Sequence, residues 1–497
     1  MISDFRTTVY GQVSSKLQEK KLSELCVGKS GIQTGPFGSQ LHKYDYVEQG
    51  TPIITVEHLG DNRIEHLNTP YVSDADRHRL SKYQIKEGDI VFSRVGSVDR
   101  RALVRKQEDG WLFSGRCLRV RVENELIDPA YLSYFFGLET FKSYIRSIAV
   151  GATMPSINTK ILSDLPIYYC SDLEEQKEIA KLLLTLDDKI QLNHQINQTL
   201  EQMAQAIFKS WFVDFEPVKA KIAALKAGGS EEDALLAAMQ AISGKSSEQL
   251  TRLQAEQPEQ YAELRATAEP FPSAMQESEL GEIPEGWGVG ALQDLCLKVE
   301  SGGTPKRNIP EYWGGEIKWL ASGEVRDVIA FGTKEKITKS GLENSSAKLW
   351  PKYSTVVAMY GATAGQVCLL ADTMTTNQAC CGLIPKENNK AFLFITARNS
   401  VSSLADKASG SAQQNLNKGL VSRHASLLPP ENVLLAYESI TFPLIHAWIQ
   451  NTHECVQLTE LRDSLLPKLL SGELSISDAE CRVSEMDVSA CTEDSLL

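Results

Sequence analysis

The run GATMPSINTKILS at residues 151–163 returns as GSAQQNLNKGLVS at residues 410–422. No gap is needed, and Gly151 falls on Gly410, Asn158 on Asn417 and Ser163 on Ser422. A match held at constant offset marks a duplicated module with a period of about 260 residues. The echo continues toward the start of each copy. Leu22-Ser23-Glu24-Leu25-Cys26 is answered by Leu292-Gln293-Asp294-Leu295-Cys296, and Ser30-Gly31 by Ser301-Gly302. GDIVFSRVGS from Gly88 is answered by YSTVVAMYGAT from Tyr353. The β-branched runs TPIITV, DIVFSRV, CLRVRV and STVVAMY, bounded by Gly, Asp and Asn, predict strands in both copies.

A long helix is expected after each copy. Apolar spacing alternates four and three through Ile179, Leu183, Leu186, Ile190, Asn193, Asn197, Leu200, Ala204, Ile207 and Trp211. The second series is Tyr437, Ile440, Leu444, Ala447, Asn451, Glu454, Leu458, Leu461 and Leu465. Both are coiled-coil seams that turn polar at their centres, and buried polar seam residues fix register and partner at a cost in stability. Between Pro217 and Glu285 the chain is rich in Ala, Glu and Gln, broken by Gly228-Gly229, Ser243-Gly244 and Pro270-Phe271-Pro272. That composition predicts short exposed helices and linker without a core of their own. The expected divisions are a mixed domain over 1–170, a helix over 171–216, the helical linker over 217–285, a mixed domain over 286–430, a helix over 431–472 and a frayed acidic tail over 473–497.

The 497-residue chain exceeds what one core supports, and no apolar run approaches the roughly 20 residues of a membrane helix. Its early acidic residue and lack of an apolar core argue against a secretion signal, and the ten cysteines contain no C-x-x-C pair. A reducing cytoplasm is the expected location. Net charge is −13, which argues against nucleic acid until it is divided along the chain. Residues 1–170 carry 22 Lys+Arg against 20 Asp+Glu, and residues 291–430 carry 16 against 11. Residues 171–290 carry 10 against 21, and residues 431–497 carry 3 against 12. The two mixed domains are thus mildly basic, and the acid lies in the segments around them.

Motifs for chemistry are missing. An aminomethyltransferase needs an amide or carboxylate beside two prolines and an aromatic to hold a flipped base. Here Pro429-Pro430 is followed by Glu431-Asn432. Gly28-Lys29-Ser30 and Gly244-Lys245-Ser246 lack the glycine that a phosphate loop has five residues earlier. There is no Pro-Asp dipeptide of the kind used in nuclease carboxylate motifs, and no H-x-x-x-H pair for a metal. No catalytic and no metal-ligating residue is assigned.

Two mixed domains alternating with two long helices resemble the specificity subunits of type I restriction–modification systems. SGGTPKRNIPEYWGGEIKWLASGE from Ser301, MYGATAGQV from Met359 and TNQACCGL from Thr376 are similar to segments of that family's target-recognition domains. IPEGW from Ile283 resembles the usual opening of the second domain. EEQKEIAKLLLTLDDKI from Glu174 and IFKSWFVDFEPVKAK from Ile207 resemble the central region. The likeness spans nearly the whole chain and departs in the 217–285 linker and the tail. It implies an α+β fold in which two mixed target-recognition domains are separated by two long helices forming an antiparallel coiled coil, a pseudo-twofold repeat. It further implies double-stranded DNA as ligand, each domain reading half of a split site. Modification subunits, two of them, and restriction subunits are the implied partners. S-adenosylmethionine, ATP and Mg2+ are implied for those partners and none for this chain. A helix over 174–212 would be about 58 Å long, one to two turns of DNA. A free-standing DNA-binding regulator and a divergent single-chain methyltransferase or endonuclease are the alternatives.

Residues 89–121 hold Arg94, Arg100, Arg101, Arg105, Lys106, Arg116, Arg119 and Arg121 against four acids. Arginine binds guanine through two hydrogen bonds, and Lys or Arg on phosphate sets orientation. Arg94, Arg100 and Arg101, flanking the glycine turn, are the candidate DNA contacts in the first copy. Lys306, Arg307, Tyr360 and Thr363 are those in comparable loops of the second. Gln413, Gln414 and Asn415 offer amides suited to adenine or backbone. Asn158 and Asn417 are equally suited to capping a helix. His42 and His58 are further polar candidates without a motif.

Overall fold

The computed structural model describes residues 5–151, 153–400 and 416–493. The chain forms two compact units, Met1–Gln191 with Val456–Leu497, and Leu192–Cys455. Each unit contains one mixed domain and part of both long helices, which run over Leu173–Phe212 and Glu431–Ser471. The boundary therefore falls inside the helices, because each helix packs one part of its length on each mixed domain.

In the first unit an antiparallel sheet orders the strands Ile32–Thr34, Cys117–Val120, Ile90–Ser93 and Arg101–Leu103. The middle pair is buried at every position, as its continuous apolar runs require. A second sheet orders Leu112–Phe113, Thr51–Ile54, Tyr71–Val72 and Tyr46–Val47. The second unit repeats the plan. Cys296–Ser301, Cys380–Pro385, Thr355–Ala358, Val367–Leu370 and Ile329–Ala330 form one sheet, and Glu335–Ile337, Trp313–Leu320 and Thr375–Thr376 another.

Details of the repeat are shared. Asn158 accepts from the Ile161 N–H at 2.9 Å, and Asn417 from the Leu420 N–H at 2.9 Å, so both cap short helices. The hairpin Phe5–Thr8/Gly11–Ser14 recurs as Met275–Ser278/Gly281–Pro284, each closed by a hydroxyl on its glycine carbonyl. The second copy thus begins near Met275, earlier than residue 286. One sequence echo is corrected. Leu118 pairs with Thr34, whereas Cys381, its equivalent, pairs with Ser301. Thr34-Gly35, not Ser30-Gly31, therefore occupies the place of Ser301-Gly302.

The helices pack as an antiparallel pair. In the second unit Asn193 donates to Glu454 at 2.7 Å and Asn197 to Thr452 at 3.1 Å. Asn193 and Asn197 are buried while the adjacent Leu192 and Ile196 are exposed, so the polar residues occupy the seam. On the second helix the buried row is Ile445, Trp448, Cys455 and Leu458, and Thr452 takes the bond expected of Asn451. In the first unit Leu183, Leu186, Leu458 and Leu465 share one core.

Two expectations are overturned. The short helices expected between 217 and 285 form, over Glu216–Lys226, Glu231–Ser243, Ser247–Glu256 and Pro258–Ala268, but they are not without a core. Leu235, Ala238, Met239, Leu250, Tyr261 and Ala268 form a core there, because alanine faces let short helices approach closely around a few large side chains. The tail is also not frayed at its start. Its helix, Ile476–Glu493, buries Ala479 completely and lays Ile476 and Val483 on the core of the first unit.

Candidate nucleic-acid interface

In the first unit the strand Ile90–Ser93 runs out at Arg94, where four loops meet. The Arg94 N–H donates to the Arg116 carbonyl at 2.8 Å, and the Arg94 carbonyl accepts from Ile157 at 2.9 Å. Gly96, at φ 77°, turns the chain back and donates to the Pro155 carbonyl at 2.8 Å. A Cβ at Gly35 would lie 2.2 Å from the Ser114 oxygen, and one at Gly115 would lie 2.4 Å from the Pro36 oxygen. Glycine alone allows that approach. These contacts bring Phe37, Arg94 and Arg116 to one surface. Phe37 is 62% exposed, with the Arg94 guanidinium 5.8 Å from its ring centre and donating to the Gly115 carbonyl at 3.2 Å.

The second unit builds the same junction. The Met359 N–H donates to the Ala379 carbonyl at 2.7 Å, and the Met359 carbonyl accepts from Leu416 at 2.9 Å. Gly361 turns the chain at φ 78°. A Cβ at Gly302 would lie 2.2 Å from the Asn377 oxygen. Met359 thus stands where Arg94 stands, and Ala379 where Arg116 stands. The Thr304 hydroxyl donates to the amide oxygen of Gln378, which is exposed.

The expected DNA contacts divide between surface and interior. Arg94 and Arg100 are at the surface of the glycine turn, with Arg100 donating to the Leu59 carbonyl. Arg101 is corrected: it is 4% exposed, donates to the Ser133 carbonyl at 3.0 Å and pairs with Asp61 at 3.1 Å. Its strand is buried at every position, which leaves no face on which Arg101 could reach solvent. Arg105 pairs with Asp188 at 2.5 Å and Arg121 with Asp89 at 2.6 Å, while Arg119 is buried and donates to the Ser30 carbonyl. Lys106 and Arg116 are exposed. In the second unit Lys306 and Tyr360 are exposed. Arg307 donates as a fork to Glu335 and lies 3.9 Å over the Trp313 ring, and the hydrogen bond it donates to Glu335 raises its pKa. Thr363 is likewise corrected: it is buried and donates to the Ser322 carbonyl at 2.9 Å. Gln413, Gln414 and Asn415 lie outside the described residues. His58 is buried with its Nδ1 against the Thr55 N–H, and His42 stacks on Tyr44 at 4.9 Å.

Sequence reasoning passed over Phe37, Thr304 and Gln378, and did not separate Arg116 from its neighbours. The signal was the pattern of glycines beside them, Gly35, Gly115 and Gly302. The thiols beneath the loops offer no nucleophile: burial pushes Cys117 up to about 12 and Cys380 well above its ordinary value. Among the described residues no cluster of His, Cys, Asp and Glu could hold a metal ion, and no helix is long and apolar enough to cross a membrane.

The family model of the type I restriction modification DNA specificity domain matches residues 15–202 and 284–430. The type I restriction enzyme HindI specificity subunit of Haemophilus influenzae is 35% identical over 439 residues, 85% of this chain and 95% of that one. The MjaIX specificity subunit of Methanocaldococcus jannaschii is 23% identical over 489 residues, 96% of this chain and 98% of that one. The crystal structure of a type I restriction–modification S subunit from M. genitalium has the same fold, with a TM-score of 0.55 at 14% identity over 91% of this chain and 96% of that one. The doubled recognition module, the antiparallel helix pair and these matches agree, and the chain belongs to the DNA-sequence-recognising specificity subunits of type I restriction–modification systems, components that are not catalytic by themselves.

Proposed function

We propose that this chain supplies the address of a cytoplasmic restriction–modification complex, each recognition domain reading one half of a split DNA site. The observation that carries this is the same loop junction built twice with different side chains: Phe37 and Arg116 in one copy, Thr304 and Gln378 in the other. Equivalent backbones with unlike chemistry suit two different half-sites. The helix pair docks two modification subunits, and its length sets the spacer between half-sites. Restriction subunits join that assembly. S-adenosylmethionine, ATP and Mg2+ belong to those partners, which methylate adenine and cut DNA. The test is reconstitution. The purified chain alone neither methylates nor cleaves, and adenine methylation of one bipartite sequence appears on adding its modification subunit and S-adenosylmethionine. Turnover by the chain alone would overturn the proposal.

A further inference from the structure

In both units two loops lie so close that only glycine fits between them. Loop 35–38 passes loop 114–116 at Gly35, and loop 302–304 passes loop 376–378 at Gly302. Each junction is backed by a fully buried strand residue, Leu118 or Cys381. Side chains leaving such a junction start from a fixed backbone, which discrimination between bases requires. Arg94 is already engaged by the Gly115 carbonyl and the Phe37 ring, which makes it a positioning residue for the Gly115-Arg116 turn. Arg116 is different: it is exposed, and among the described residues its guanidinium has no hydrogen-bond or ion-pair partner. Gln378 is exposed, and the Thr304 hydroxyl fixes which way its amide faces.

Resting on the functional reading above, we infer that this loop junction is the specificity-determining element of each recognition domain, with Arg116 reading a guanine in one half-site and Gln378 an adenine in the other. The guanidinium fork matches O6 and N7 of guanine, and the carboxamide matches N6 and N7 of adenine. Phe37 stands beside Arg116 as an apolar contact of the kind that meets a thymine methyl. Thr304 is the positioning residue of the second copy. It accounts for one lone pair of the Gln378 oxygen and leaves the other, with the amide protons, for the base.

The experiment uses the complex of the full chain with its modification subunit, S-adenosylmethionine and a randomised DNA library, reading which sequences become methylated. In Arg116→Lys, which keeps the charge and loses the fork, discrimination at one guanine of one half-site falls roughly 5- to 150-fold while the other half-site is unchanged. Gln378→Ala does the same at one adenine of the other half-site. Thr304→Val relaxes that adenine position, and Thr304→Ser, which keeps the hydroxyl, restores it. Variants that methylate the wild-type sequence set unchanged overturn the inference and leave the bipartite reading standing. A uniform loss over all sequences with a shallower salt dependence would mark a phosphate contact and also overturn it. A wild-type complex that selects no bipartite sequence would instead overturn the functional reading and this inference with it.

Discussion

Asn193 donates its side-chain amide to the carboxylate of Glu454 at 2.7 Å, across the antiparallel helix pair. Asn193 is buried in the seam and is one turn from Asn197, which bonds Thr452. Asn193→Ala therefore removes one hydrogen bond to a charged acceptor, at a cost of about 1.5–3 kcal/mol. The double replacement Asn193→Leu with Glu454→Leu should be neutral or stabilising, yet it removes the feature that fixes register. Urea unfolding reads the first effect. Sedimentation of the double variant reads the second, as a mixture of association states where the wild type gives one.

Arg462 holds a second polar centre, in the first unit. It pairs with Asp187 at 2.7 Å and with Asp61 at 3.4 Å, Tyr134 donates to Asp187 at 2.5 Å, and Arg101 pairs with Asp61. Burial works to raise the Asp61 pKa, and the charge and hydrogen bond of Arg101, with Arg462, outweigh it and lower the pKa. Arg462→Met leaves Asp187, which is 7% exposed, without its cation and should cost about 3–5 kcal/mol. Adding Asp187→Asn recovers part of the loss. Equal midpoints for the single and double variants in urea would contradict this account.

Glu438 makes the second unit sensitive to pH. It receives the Ala391 N–H on both oxygens at 3.1 Å, at the start of the helix Lys390–Asn399. Burial lifts its pKa from 4.5 to about 7, against the opposing pull of the backbone N–H groups and Lys390. Between those values the folded chain keeps a proton that the unfolded chain releases. The stabilisation from this group is complete below pH 4.5 and lost as pH rises through 7. Glu438→Gln, which cannot ionise, should gain in melting temperature relative to wild type between pH 5 and pH 8. A difference that stays constant over that range would contradict the assignment.

Much of this architecture was legible because it repeats. Asn158 and Asn417 cap equivalent helices, and their register survives because no loop of variable length lies between the matched residues. The Ser30-Gly31 echo misled because the strand that pairs with Leu118 starts later, at Ile32, and only pairing reveals Thr34-Gly35 as the equivalent. The seam residues Asn193 and Asn197 were readable from spacing, whereas the partner Thr452 depends on helix rotation. The arginines of residues 89–121 were the hardest. Arg101, Arg105, Arg119 and Arg121 meet partners distant in sequence, so local composition overstated the free positive charge. Arg116 is distinguished only by what does not touch it.

The central claim is that the two copies read DNA independently. Its most direct test is the map of methylated adenines in cells whose specificity subunit carries, in place of residues 275–430, the corresponding domain of a relative with a different target. One half of the bipartite site should persist unchanged while the other half is replaced by the relative's half-site. A methylating chimera in which both halves change, or neither does, would contradict the account.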